Sequence, residues 1–208
     1  MLWSSNDVTQ QGSRPKTKLG PVDTPPSHYI SWAKLLRTRI PGDVSVTRFY
    51  DNFHENAIAI FESKQPEGIV AATIGLMDID QRVGAGPVHT EVLMDQLGQD
   101  PRIGNVLATL AFYIAKDGWR VRPGTVFENV VRINVSEARL PHVYFTTPFQ
   151  WQDFSAVDLD GRKVHPLVAV PVSEAEADLA RKEQGRVLEL LWESKGTNVL
   201  DWNRSSAL

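Results

Sequence analysis

The chain has 208 residues with a formal net charge of −3 and no cysteine. That length suits one well-buried domain with some tail, and the apolar and charged fractions are those of a globular protein. The missing cysteines exclude disulfides, thiolate metal sites and thiol nucleophiles, and the slight acidic excess gives no basic footprint for nucleic acid. No apolar run approaches the roughly 20 residues of a membrane-spanning helix, and "MLWSSNDVTQQGSRPK" lacks the apolar core of a secretory signal, so a cytoplasmic protein is expected.

Residues 1–27 are rich in Ser, Thr, Gln, Pro and Lys and read as a tail or linker, leaving 28–208 as the domain. "SHYISWAKLLRTRIPG" predicts a helix, with Tyr29, Trp32, Ala33 and Leu36 at helical spacing, a Ser27 cap and a stop at Pro41-Gly42. Ala57 to Ser63, Ile69 to Ile79 and Val88 to Asp95 read as strands. The second is apolar at both parities, like a central strand; the third alternates, with a wetter face at His89, Glu91 and Asp95. "GAGP" at Gly84 to Pro87 reads as a hairpin connection. After Asp100-Pro101 a helical stripe runs through Ile103, Val106, Leu107, Leu110, Ala111 and Ile114, with Gly118 as its end signal. Further strands are predicted at Val126 to Val135, His142 to Thr147, and Phe149 to Val157 paired with Val164 to Val172 across "DLDGRK". A helical region, Ser173 to Trp192, follows. This order lacks regular βαβ alternation and predicts an α+β domain with a mixed, largely antiparallel sheet flanked by helices.

The densest run of carboxylates lies in "VSEAEADLARKEQGRVLELLWES". Ser173 and Glu176 form the S-x-x-E pattern of a capping box, and Glu174 and Asp178 sit in the first turns, where the helix dipole favours negative charge. A break at Gly185, or burial on two sides, reconciles the two leucine faces. No H-E-x-x-H, G-x-S-x-G or phosphate-loop pattern accompanies them, so no catalytic residue is assigned. The five histidines are scattered. His89 and Glu91 share a strand face by their i,i+2 spacing, and with Asp78 and Asp80 they form an oxygen and nitrogen set, which keeps a metal-dependent hydrolase as the alternative from another class. The preferred expectation is no metal and no cofactor.

Several segments together resemble the suppressor of fused (SUFU) family: "TIGLMDID", "GPVHTEVLMDQLG", "NVLATLAFYIA" and the ending "VHPLVAVPVSEAEADLARKEQGRVLELLWES…VLDWNR". Gly75, Leu76, Asp78, Glu91, Gly185, Asp201 and Arg204 are the matching positions. The resemblance spans about Tyr29 to Ser206 and implies a non-catalytic, protein-binding α+β fold. Animal members hold a transcription-factor peptide by strand addition, and bacterial members are thought often to be immunity proteins. The expected partner is therefore another protein, a toxin domain or a regulatory peptide, with no nucleic acid or membrane involved. Asp78 and Glu91 are the expected partner-surface residues, with Ile74 and Met77 as apolar contacts from the same strand, and charge reversal at Asp78 or Glu91 is expected to leave the fold intact. Asp201 and Arg204 are expected to form a local ion pair.

Overall fold

The computed structural model describes residues 24–81, 87–151, 154–183 and 185–208. Most of the expected tail and most of the GAGP connection therefore lie outside the described residues. An eight-stranded sheet is assembled from β1 (Asp43–Tyr50), β2 (Ala57–Lys64), β3 (Gly68–Ile74), β4 (His89–Leu97), β5 (Val126–Phe127), β6 (His142–Thr146), β7 (Val157–Leu159) and β8 (Arg162–Val172). Its spatial order is β1-β2-β3-β4-β8-β6-β5, with β7 also paired to β8, and β4–β8 is the one parallel pair among the described residues. The expected α+β class with a mixed, mostly antiparallel sheet is what the chain adopts.

Two apolar layers sandwich this sheet. On one face, α2 (Ile103–Asp117) and α3 (Val130–Asn134) bury Val106, Leu107, Leu110 and Ile114 against Ile60, Ala71, Val92, Met94, Val143 and Ala169. The other face carries α1 (Ser27–Arg39), α4 (Glu174–Lys182) and α5 (Arg186–Lys195), whose Trp32, Leu36, Ala177, Leu188 and Trp192 cover Phe61, Val70, Leu93, Tyr144 and Val168. The period-2 alternation of each central strand thus feeds both cores, which is why those strands are apolar at both parities. The expected wet face of the third strand is corrected by the same fact. β4 lies between β3 and β8 with helices on both sides, and Glu91 and Leu93 are fully buried.

Other boundaries shift for local reasons. β1 has no counterpart among the expected strands, because an edge strand buries little and the apolar residues of DVSVTRFY do not keep one alternation, Val44 and Val46 being followed by Phe49 and Tyr50. The predicted strand from Val126 to Val135 is instead the two-residue β5 followed by α3, because Asn129 adopts a left-handed conformation (φ 57°) that stops the strand. In the final hairpin, Asp160 and Gly161 both have positive φ and form the two-residue turn, but β7 is only three residues long rather than reaching back to Phe149. α1 begins at Ser27 itself, preceded by Pro26, and Ser27 makes no side-chain cap.

The C-terminal region keeps its expected capping box: Ser173 Oγ accepts from the Glu176 N–H and Glu176 Oε2 accepts from the Ser173 N–H. The helix breaks at Gly185, where φ is +84° and an added Cβ would lie 2.3 Å from the Tyr144 hydroxyl. Glu176 does more than cap. It is fully buried and accepts from Arg204 Nη1 (2.7 Å) and Nη2 (3.2 Å), Trp192 Nε1 (3.0 Å) and the Ala207 N–H (3.2 Å). The expected Asp201–Arg204 pair is therefore replaced by a Glu176–Arg204 pair; Asp201 Oδ1 accepts from the Asn203 N–H instead. Burial alone would raise the Glu176 carboxyl, but the Arg204 guanidinium and the N–H donors outweigh it and hold it below the ordinary carboxylate value.

Arg204→Ala is expected to destabilise the chain by about 3–5 kcal/mol, because it strands a buried carboxylate. Asp201→Ala should cost no more than about 1 kcal/mol, the net value of one hydrogen bond. Denaturant unfolding of the two variants distinguishes the assignments. Because the Glu176 carboxyl is held low, its stabilisation is complete above the ordinary carboxylate range and is lost as pH falls through it; the Arg204→Ala chain should lack that acid-side loss.

Candidate functional site

The segment singled out by the sequence lies where β3 parts from β4. Their rungs end at Ala72 opposite Leu93, whereas β3 stays paired with β2 as far as Ile74. Thr73, the one hydroxyl residue in an otherwise apolar strand, takes over the missing rung: its Oγ1 accepts from the Val92 N–H at 2.9 Å and donates to Glu91 Oε2. The other carboxylate oxygen, Glu91 Oε1, accepts from the N–H groups of Gly75 (2.8 Å) and Met77 (3.1 Å). One buried carboxylate thus satisfies the backbone of a tight 3-10 turn, Leu76–Asp78, that would otherwise leave donors unpaired in the interior.

Two features make this turn possible. Gly75 has φ +109°, and a Cβ there would sit 2.8–3.1 Å from the Tyr29 ring, so α1 approaches closer than a side chain would permit. His89 Nδ1 donates to the Met77 carbonyl at 2.8 Å. The expected i,i+2 relation of His89 and Glu91 is therefore present, with both residues spent on the two polarities of one turn.

Asp78 ends the turn. Its carboxylate accepts from Tyr29 Oη (2.7 Å), His28 Nε2 (3.0 Å) and the Arg162 guanidinium, tying α1 and the start of β8 to the turn. Burial, then the bond to Asp78, pushes the Tyr29 phenol above its ordinary value.

Of the four residues expected at a partner surface, Glu91 and Met77 are fully buried and Ile74 is 5% exposed, both apolar residues belonging to the core beneath α1. These three present no surface to a partner, which corrects the sequence reading. Asp78 keeps a quarter of its side chain accessible. No pattern in the sequence marks His28, Tyr29 and Arg162 as the residues that hold it; the turn lies inside the run Ile69 to Ile79 expected as one strand, and the polar intrusion of Thr73 is the signal that could have marked it. The oxygen and nitrogen set of Asp78, Asp80, His89 and Glu91 does not converge either. Among the described residues no three His, Asp or Glu side chains are grouped to hold a metal; Glu91 Oε1 and His89 Nδ1 bond to the turn, and Glu91 Oε2 accepts from Thr73.

Among the described residues no cation is paired with Glu91. Burial pushes its carboxyl up to about 8 from an ordinary value of 4.5, against the downward pull of the Thr73, Met77 and Gly75 donors, with the nearby Asp78 charge adding to the rise. A raised folded-state value means that the protonated form is favoured on folding. Stability is therefore full below the ordinary value, and falls as pH rises through it toward about 8. Glu91→Gln, neutral at every pH, should flatten that slope in unfolding curves taken across the range. Glu91→Lys should fail to fold, contrary to the expectation for a surface residue, because it buries a cation facing N–H donors. Asp78→Ala should fold, lose about 1–2 kcal/mol, and speed amide exchange in the first turn of α1.

Residues 54–205 match the family model described as Suppressor of fused protein (SUFU). Immunity protein YqcF of Bacillus subtilis (strain 168) is 32% identical over 182 residues, 85% of this chain and 95% of that protein. A SUFU homologue from Neisseria gonorrhoeae FA 1090 superposes with a TM-score of 0.70 at 17% identity, covering 88% of this chain and 96% of the other. A Sufu–Fu complex structure gives 0.66 at 14% identity over 88% and 93% of the two chains. Drosophila Suppressor of Fused also gives 0.66 at 14% identity, with 88% of this chain matching 52% of that one. The chain belongs to the suppressor of fused family.

Proposed function

We propose that this chain is a non-catalytic immunity protein that binds a protein toxin and neutralises it by covering its active surface. The observation that carries this reading is the 32% identity to a protein named as an immunity protein, extending over 95% of that protein. The site geometry is in keeping with it. The buried Glu91 and Glu176 and the clamped Asp78 are occupied by backbone, tryptophan, tyrosine and arginine donors, and an inhibitor of this kind needs a few anchors and complementary charge rather than a reactive group. Asp78 belongs to this reading as a rim contact, in a cytoplasmic setting that a cysteine-free chain suits.

A second reading, capture of a regulatory peptide by strand addition, is favoured by β1. It is an edge strand of eight residues whose exposed side chains include Val46 and Tyr50, and it contains neither proline nor lysine to blunt it.

Co-expression with a toxin encoded beside the gene tests the leading reading. Growth should be restored and the two products should purify as one complex; persistent growth arrest with no complex would overturn it. Val46→Lys separates the two readings. It should leave the fold intact and abolish capture only if the partner adds a strand to β1.

A further inference from the structure

The segment Thr73 to Asp78 is bonded from two sides. On one, Glu91 takes the Thr73 hydroxyl and the N–H groups of Gly75 and Met77. On the other, α1 takes what remains: Trp32 Nε1 donates to the Thr73 carbonyl at 2.9 Å, and His28 and Tyr29 hold the Asp78 carboxylate. Tyr29 covers the turn itself, its hydroxyl and ring lying 2.8–3.1 Å from where a Gly75 Cβ would be. Yet the first turn of α1 is lightly held. Tyr29 and Ile30 both donate to the Pro26 carbonyl, at 3.0 and 3.3 Å, no side chain caps the helix, and Ile30 is exposed. The buried apolar contacts begin at Trp32 and continue at Leu36.

Thr73 lets the turn keep its bonds through a change of protonation. Its Oγ1 meets Glu91 Oε2, the Val92 N–H at 2.9 Å and the Val92 carbonyl at 3.5 Å. Beside an ionised Glu91 the hydroxyl donates to the carboxylate; beside a protonated one it accepts, and its own hydrogen turns to the Val92 carbonyl. What changes is charge. Among the described residues the titratable and charged groups around Glu91 and its turn are Asp78, His89 of the same strand, His28 and Tyr29 of α1, and Arg162 of β8. Ionised, Glu91 is a buried anion that repels Asp78, which is why its carboxyl is pushed up to about 8. Water reaching the carboxylate would relieve both costs.

We propose that the first turn of α1 is a pH-regulated strap: it lies closed over the Gly75–Asp78 turn while Glu91 carries a proton, and lifts, pivoting at Trp32, as Glu91 gives that proton to water. The ionised carboxylate still holds Gly75 and Met77, now through charge-assisted bonds, so the turn keeps its shape while the strap is open. Asp78, released by Tyr29 and His28, keeps Arg162 as its partner and faces solvent. The sign follows from linkage. The closed form binds the Glu91 proton more tightly than the hydrated open form, so opening releases it. The open fraction therefore grows about tenfold per pH unit between the ordinary value of 4.5 and about 8, and levels off above. None of this uses the immunity reading, so either claim can fail alone.

Hydrogen exchange of the isotope-labelled full chain tests the strap. Opening constants of the Tyr29 and Ile30 amides, corrected for intrinsic rates, should rise about a hundredfold between about pH 5.5 and about pH 7.5, and should exceed that of the Trp32 indole N–H throughout. Glu91→Gln should abolish the rise. Where that variant does not fold, Asp78→Asn serves: with the neighbouring charge gone, the rise should level off at lower pH. Histidines ordinarily titrate in this window, so His28→Gln and His89→Gln are controls that should keep the rise. The proposal is overturned by no rise in the native chain, a rise that persists in folded Glu91→Gln or vanishes in a folded histidine variant, an unmoved plateau in Asp78→Asn, or Tyr29 opening no more often than Trp32.

Discussion

The parallel pairing of β4 with β8 is the constraint on which the rest of the structure depends. It joins an antiparallel half, β1 to β4, to the half formed by β5, β6, β7 and β8, and it leaves β4 short of a backbone partner at both ends. At its start β3 peels away, and Thr73 and Glu91 supply the bonds that a neighbouring strand would have made. At its end β8 diverges, and Leu200 and Trp202 do the same. Buried backbone groups must be paired. The polar residues that distinguish this sequence are stationed where the sheet cannot meet that demand by itself.

The two fully buried glutamates solve that problem with opposite electrostatics. Glu176 has Arg204 as a countercharge and is held in its ionised form, whereas Glu91, among the described residues, meets neutral donors and a neighbouring carboxylate, so burial dominates. Their contributions to stability move in opposite directions with pH, one lost in acid and the other declining toward mildly basic pH. Neither is free to act on a substrate, since every oxygen is engaged by the fold. Both acids serve as internal fasteners of the fold.

Several short-range features are legible in the sequence, although the Ser27 cap and the strand from Val126 to Val135 are not what the chain adopts. The S-x-x-E box, the break at Gly185, the Asp160-Gly161 turn and the stripe of α2 all appear where local chemistry predicted them. The resemblance carried by the strand-to-helix ending likewise pointed to the right family. What could not be read was long-range pairing. Glu91 lies in an alternating strand that looks half-wet, and only the insertion of β4 between β3 and β8 makes both of its faces interior. Arg204 stands three residues from Asp201 but reaches Glu176 because α4 folds back over the C-terminal segment.

Glu91 is an internal fastener of the Gly75–Asp78 turn rather than a contact surface. Native-state amide hydrogen exchange at Gly75 and Met77 tests it most directly. Both amides lie in or beside a non-strand turn, and if Glu91 holds them they exchange only through global unfolding, as slowly as the central strands. Exchange of both at the rate of an exposed turn, with the sheet still protected, would rule out that role for Glu91.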